Sequence, residues 1–312
     1  MHTPIISAII ACYKDEQAIG IMYKRLSVVL KKLKIPYEII FVNDGSPDKT
    51  GTILHTLVNK DPHVVAVHHS RNFSSQMAFL SGMRVSKGKA VVLLDGDLQD
   101  PPELITTFYL HWKKGYDVIY GIRTKRQAPL FMQLSYKLFY RIFKRLAFIN
   151  IPNDAGDFSL IDRRVVDILT AFPERDYFLR GLRAWVGFRQ KGIAYTRPER
   201  MFGKTTNNFG KNIQWAFKAI FSFSTAPLEF ITLLSVIIFG LFFIGTGSVI
   251  IWKYTHPHDS IFEMSVFLAI LAACSLQLLV IGIIGQYIGK IIEEVKKRPR
   301  YIVKKIERKA RS

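Results

Sequence analysis

The chain has 312 residues, 49% of them hydrophobic, and its 44 Lys or Arg against 24 Asp or Glu give a formal net charge of +20. That length suits one large domain with an appendage, or two ordinary domains. The charge raises nucleic acid as a ligand, but no zinc-knuckle spacing, recognition-helix signature or RNP-like aromatic strand accompanies it, and the basic residues gather beside apolar segments, where anionic headgroups and phosphate-bearing substrates account for them.

In chain order, short apolar runs predict strands at 5–12, 37–42, 64–68, 90–94 and 117–120, alternating with helical patterns at 16–33, 48–59, 74–86 and 102–114. In the first helical stretch Ile19, Tyr23, Leu26, Leu30 and Leu33 share one face. Pro101 and Pro102 open the last one, where a missing N–H is tolerated. Such alternation predicts βαβ units, hence an α/β fold with a mostly parallel sheet. Ligands of such sheets bind beyond the carboxyl ends of the strands. Three polar clusters stand there: Tyr13 with Asp15, Asn43 with Asp44, and Asp95 with Asp97. No G-x-G-x-x-G follows the first strand, so dinucleotide-dependent redox chemistry lacks support. His68 and His69 read as structural or rim residues.

The acids Asp95 and Asp97 flank Gly96 at the end of a buried apolar run. Two carboxylates at that spacing suit one hard cation, Mg²⁺ or Mn²⁺, which shares its other positions with waters and substrate phosphates and neutralises a departing diphosphate. The same triplet also suits a plain polar turn. Asp100 and Glu103 read as residues that start and cap the next helix.

Beyond residue 125 the pattern changes. Segments 129–148 and 209–227 interleave aromatic and basic residues, as helices lying in a membrane interface do. The uncharged stretches 230–252 and 264–289, of 23 and 26 residues, each exceed the roughly 20 residues a spanning helix needs. A short loop joins them, so they predict a transmembrane hairpin within 228–289. The tail 290–312 carries ten Lys or Arg against three Glu, which orients it, and the domain of residues 1–208, toward the cytoplasm. The first residues read as a strand rather than a signal peptide. Cys12 and Cys274, in a strand and a membrane helix, read as unpaired in a reducing compartment.

The block "DGDLQDPPE" (95–103) resembles that of family 2 glycosyltransferases, in the branch that moves a sugar from a nucleotide onto a polyprenyl phosphate. "EIIFVNDGSPDKT" (38–50), "SRNF" (70–73), "GYDVIYGIR" (115–123), "DAGDFSLIDRRVVD" (154–167), "SFSTAPL" (222–228) and "GQYIGKIIEEVKKRPRYIV" (285–303) agree in order. The chain is similar above all to bactoprenol (undecaprenyl phosphate) glucosyltransferases, and more distantly to dolichol-phosphate mannose synthases. The resemblance implies a GT-A catalytic domain, a nucleotide-sugar donor with UDP-glucose foremost, inversion at the anomeric centre and a homo-oligomer, a tetramer. It implies Asp95, Asp97 and Gln99 at the metal. Ala11, Tyr13, Asp15, Asp44, Arg71 and Asp95 fall at the nucleotide sugar, and Asp157 at the position of the catalytic base. Arg123, Ser135, Arg200 and Lys204 fall on the acceptor-phosphate side. The chain departs from the family at Lys14, where Asn is common, and at Thr206 and Asn207, where Lys and Tyr are; Lys204 offers a neighbouring charge.

Overall fold

The computed structural model describes residues 3–124, 155–175, 177–198, 201–202, 226–256 and 261–309. The chain divides into two compact units. The first takes Met1–Arg141, Ile149–Asn212 and Arg298–Ser312, and the second takes Ile142–Phe148 and Ile213–Lys297.

The first unit is built on one sheet. Strands β1 (Ile6–Cys12), β2 (Tyr37–Asn43), β3 (Val64–His69) and β4 (Ala90–Asp95) are parallel. Helices α1 (Ile19–Lys32), α2 (Thr50–Lys60) and α3 (Ser75–Val85) make the crossovers between them. Every residue of β1, β2 and β3 is buried, as expected of parallel strands covered on both faces. A 3₁₀ turn (Pro102–Leu104) leads into α4 (Ile105–Lys113) and then β5 (Val118–Arg123). Strand β6 (Ala155–Asp162) inserts antiparallel between β4 and β5, and β7 (Gln190–Tyr195) runs parallel to β5. Short helices α5 (Arg163–Ala171) and α6 (Leu179–Trp185) lie between β6 and β7 in the chain. The strand order is β7-β5-β6-β4-β1-β2-β3-β8. Its direction of progression reverses between β1 and β4, the kind of switch point that opens a crevice at the strand ends.

The last strand, β8 (Val303–Arg308), pairs antiparallel with β3 at the sheet edge. The segment read from composition as the end of a basic tail thus returns to the sheet. Its exposed Lys304 and Lys305 keep this new edge charged, which discourages further strand addition.

The second unit contains two long helices, α7 (Ala226–Thr255) and α8 (Ile261–Val295). The stretches Leu228–Thr255 and Ser265–Val295 have mean hydropathies of 2.4 and 2.6 and are long enough to cross a membrane. Large apolar residues along them, Phe239, Ile244, Leu278 and Ile281 among them, are exposed. The predicted stretches 230–252 and 264–289 fall inside these helices. The interface-helix readings at 129–148 and 209–225 lie outside the described residues.

Candidate active site

The switch point brings three strand ends together. Ala11 stands opposite Asp95 and Cys12 opposite Asn43 in the sheet register. The backbone continues this contact past the strands, with Asp44 N–H donating to Cys12 O at 2.9 Å and Gly96 N–H to Ala11 O at 2.9 Å. A Cβ on Gly96 would lie 2.9 Å from both Ala11 O and Asp15 Oδ2, so this approach requires glycine. Gly45 has φ +67° and its missing Cβ leaves room for the Arg71 backbone, which holds the loop after β2 against the loop after β3.

Asp44 is buried, and its two oxygens differ. Oδ1 accepts from Phe73 N–H at 2.9 Å and lies 2.8 Å from His69 Nδ1. Oδ2 is buried and has no partner among the described residues. A buried acceptor in that state is one a ligand N–H or O–H would satisfy. Asp15 takes Tyr13 N–H at 2.8 Å. Beside these residues a cleft of about 460 Å³ is lined by Lys14, Asp15, Asp48, Asp97 and Phe202, a size suited to a small ligand. Tyr13 is exposed near it. Arg71 is exposed as well, its guanidinium 4.1 Å above the Phe73 ring.

The acids after β4 form a tight set. Leu98 takes φ +62° and is buried, so the turn carrying Asp97 is held by core contacts against its own backbone preference. Burial, with Asp100 and Asp97 as like-charged neighbours, pushes the Asp95 carboxyl up to about 8 despite the pull of Arg197. Burial raises Asp100 too. Asp100 does not cap the next helix: its Oδ1 accepts from Tyr195 Oη at 2.7 Å, and Oδ2 is buried without a partner among the described residues. Arg197 Nη2 stands 3.7 Å from Asp97 Oδ2. The Gln99 side chain donates to Pro198 O at 3.2 Å, while its backbone N–H donates to Asp97 Oδ1 at 3.1 Å. Among the described residues no group of three or more His, Cys, Asp or Glu is arranged as a protein-only metal cage. A cation held by two carboxylates and a diphosphate needs no such cage. The all-oxygen donor set of Asp95 and Asp97 suits Mg²⁺ or Mn²⁺ rather than a softer metal.

Asp157, on β6, is buried and held by three hydrogen bonds from two side chains. Arg180 donates through Nε to Oδ1 at 3.0 Å and through Nη2 to Oδ2 at 2.8 Å, and Gln76 Nε2 donates to Oδ2 at 3.1 Å. Gln76 is itself fixed, its Oε1 accepting Leu179 N–H at 3.0 Å. Burial works against the charged form of Asp157. The Arg180 charge and hydrogen bonds outweigh it, with help from Arg183 and Gln76, and hold the carboxyl below its ordinary range. Arg183 is fully buried over the Tyr120 ring and donates to Gly156 O at 3.1 Å. Burial lowers its own pKa to about 10. Arg123 Nε lies 3.5 Å from Tyr195 Oη, on the side of Asp100. Sequence reading passed over Arg180, Arg183, Gln76, Tyr195 and Arg197. Arg180 and Arg183 lie in "RDYFLRGLRAWVGFR" (175–189), a further block that resembles the family's, and stand three apart in a short helix, where they share a face. Ser135, Arg200 and Lys204 lie outside the described residues.

A family model described as Glycosyl transferase family 2 matches residues 7–169. The chain belongs to glycosyl transferase family 2. It is a glycosyltransferase with a GT-A α/β fold. Its relatives match along nearly the whole chain. A glycosyltransferase of Synechocystis sp. is 40% identical over 299 residues, 96% of this chain and 94% of that one. The glycosyltransferase YkcC of Bacillus subtilis is 39% identical over 302 residues, 96% and 93% of the two chains. The SfII prophage-derived bactoprenol glucosyl transferase of Shigella flexneri is 34% identical over 304 residues, 97% and 98%.

Proposed function

We propose that this glycosyltransferase moves one glucosyl residue from UDP-glucose onto undecaprenyl phosphate, with inversion, at the cytoplasmic face of a membrane. The observation that carries the reading is the end-to-end likeness to bactoprenol glucosyl transferases, which spans the two apolar helices as well as the catalytic unit.

In this reading Asp44 and Asp15 hold the nucleoside, and Asp95 and Asp97 hold Mg²⁺ or Mn²⁺. A cation held there would supply charge neutralisation to the departing diphosphate. A lipid phosphate oxygen forms a bond to the anomeric carbon, the bond from that carbon to the UDP oxygen breaks, and UDP departs with the electron pair. A phosphate monoester has a second pKa of about 6, so the acceptor is a dianion at neutral pH and has no proton to give up. Asp157, ionised and clamped by Arg180, therefore orients a substrate instead of taking a proton. Arg123 suits a two-pronged grip on the acceptor phosphate, with Ser135, Arg200 and Lys204 as further contacts. The helices α7 and α8 cross the membrane as a hairpin. The ten Lys or Arg among residues 290–312 support a hairpin whose ends face the cytoplasm.

The test is a panel of labelled UDP-glucose, UDP-N-acetylglucosamine and GDP-mannose, each incubated with membranes containing the protein and undecaprenyl phosphate, followed by chromatography of the lipid extract. A labelled lipid from UDP-glucose supports the reading. Label only from another donor replaces the sugar, and no labelled lipid from any donor overturns the acceptor.

A further inference from the structure

His69 has no part in the chemistry above, yet it is among the most enclosed polar residues of the first unit. It is 3% exposed, and four groups surround its ring. Nδ1 lies 2.8 Å from Asp44 Oδ1 and Nε2 lies 2.8 Å from Ser81 Oγ. Phe73 meets it edge-on at 5.8 Å, and Tyr301 stacks on it at 5.3 Å with 16° between the planes. Tyr301 belongs to the segment between α8 and β8. That segment is fastened to the first unit on both sides of the tyrosine: Arg300 donates to Glu174 O at 3.1 Å, and Ser70 N–H donates to Ile302 O at 3.0 Å. Arg84 adds a 3.5 Å contact to the Tyr301 hydroxyl.

We propose that the segment following α8 sets donor affinity, with Tyr301 holding the His69 ring and His69 in turn holding Asp44. Tyr301 and His69 are positioning residues, and the inference rests on the reading of Asp44 as a nucleoside contact. An ionised carboxylate only accepts hydrogen bonds, so His69 Nδ1–H and Phe73 N–H together pin Oδ1. Pinning one oxygen fixes where the other points. The unpartnered Oδ2 of Asp44 is thereby aimed before the ligand arrives, and pre-aimed contacts bind more tightly because less freedom is lost on binding. Removing the Tyr301 ring leaves one face of His69 uncovered and lets the imidazole tilt, and Asp44 tilts with it. Residues 300–302, which belong to the first unit, thus complete its donor site.

The experiment uses the full-length protein in detergent. Titrations of wild type with UDP, GDP and CMP first establish the nucleotide, so an error about the sugar does not touch the inference. Tyr301→Ala is then expected to raise the donor KM, and the nucleotide Kd, about 3- to 10-fold, the size of one aromatic stacking contact. The kcat should stay within twofold and the acceptor KM should not move. Tyr301→Phe keeps the ring and should restore wild-type values. His69→Ala, which takes a hydrogen bond from a charged group, should raise the same two constants about 10- to 100-fold. Asp44→Ala is the reference. If Asp44→Ala binds nucleotide like wild type, the reading of Asp44 falls and this inference with it. If Asp44→Ala loses binding while Tyr301→Ala does not, the inference alone falls. It also falls if Tyr301→Phe is as impaired as Tyr301→Ala, or if kcat falls while both KM values rise together.

Discussion

Asp157 accepts two hydrogen bonds from one guanidinium, and its pKa lies below the ordinary carboxylate value. The sign of the consequence is fixed. A lowered acid contributes stability that is present above its unfolded pKa and is lost as pH falls through the folded one, so at neutral pH and above Asp157 is ionised and its pairing complete. We predict that Asp157→Asn lowers kcat by about 10²-fold, the cost of a misplaced substrate, and that alkaline pH does not restore it. A pH–rate profile of the variant that recovers fully above pH 9 would show a base role instead. Asp95→Ala and Asp97→Ala should each abolish transfer, as should excess chelator; full turnover in chelator would remove the cation from the account. The residues that were legible in the sequence share a property: Asp15, Asp44, Asp95 and Asp97 sit at the ends of apolar runs, so their location follows from local pattern alone. Gln76, Tyr195 and Arg197 meet the acids across 81, 95 and 100 residues of chain, and nothing local marks such a meeting. Asp100 shows the same limit. Its neighbours in sequence suggested a helix start, whereas its partner Tyr195 comes from β7.

At the scale of elements, β1 to β5 were readable because strands buried on both faces are largely apolar runs. Strands β7 and β8 carry Gln190, Lys191, Lys304, Lys305 and Glu307, since each has one open edge, and their polarity hid them. β6 breaks its apolar run with Gly156, Asp157 and Ser159 because it carries the site. Its last residue, Asp162, has a second task. The side chain caps α5 by accepting Arg164 N–H at 3.0 Å and also receives the Trp112 indole N–H of α4 at 2.8 Å. Asp162→Ala removes both, and should cost about 1–2 kcal/mol, the upper range for a lost cap. Thermal unfolding of the full-length protein would register this as a lower Tm; an unchanged Tm would mean that water replaces both bonds at no loss.

At the scale of the molecule, the proposal reads α7 and α8 as a membrane hairpin, and the chain after them returns to the sheet of the first unit as β8. The hydropathy of α7 and α8 was plain in composition, but the return was not, because a basic tail and a Lys-rich edge strand have the same composition. The arrangement predicts that an impermeant thiol reagent labels His256→Cys, in the connection between α7 and α8, from outside intact cells and leaves Arg308→Cys untouched until the cells are opened. Labelling of both from outside would contradict a hairpin with cytoplasmic ends. The central claim is that this enzyme places a single sugar on a polyprenyl phosphate. The most direct measurement is mass spectrometry of the lipid formed by purified protein from UDP-glucose, undecaprenyl phosphate and Mg²⁺ or Mn²⁺. The account predicts undecaprenyl phosphate heavier by one hexose residue, absent with Asp97→Ala. A polymeric product, an unmodified lipid, or the same product from Asp97→Ala would contradict it.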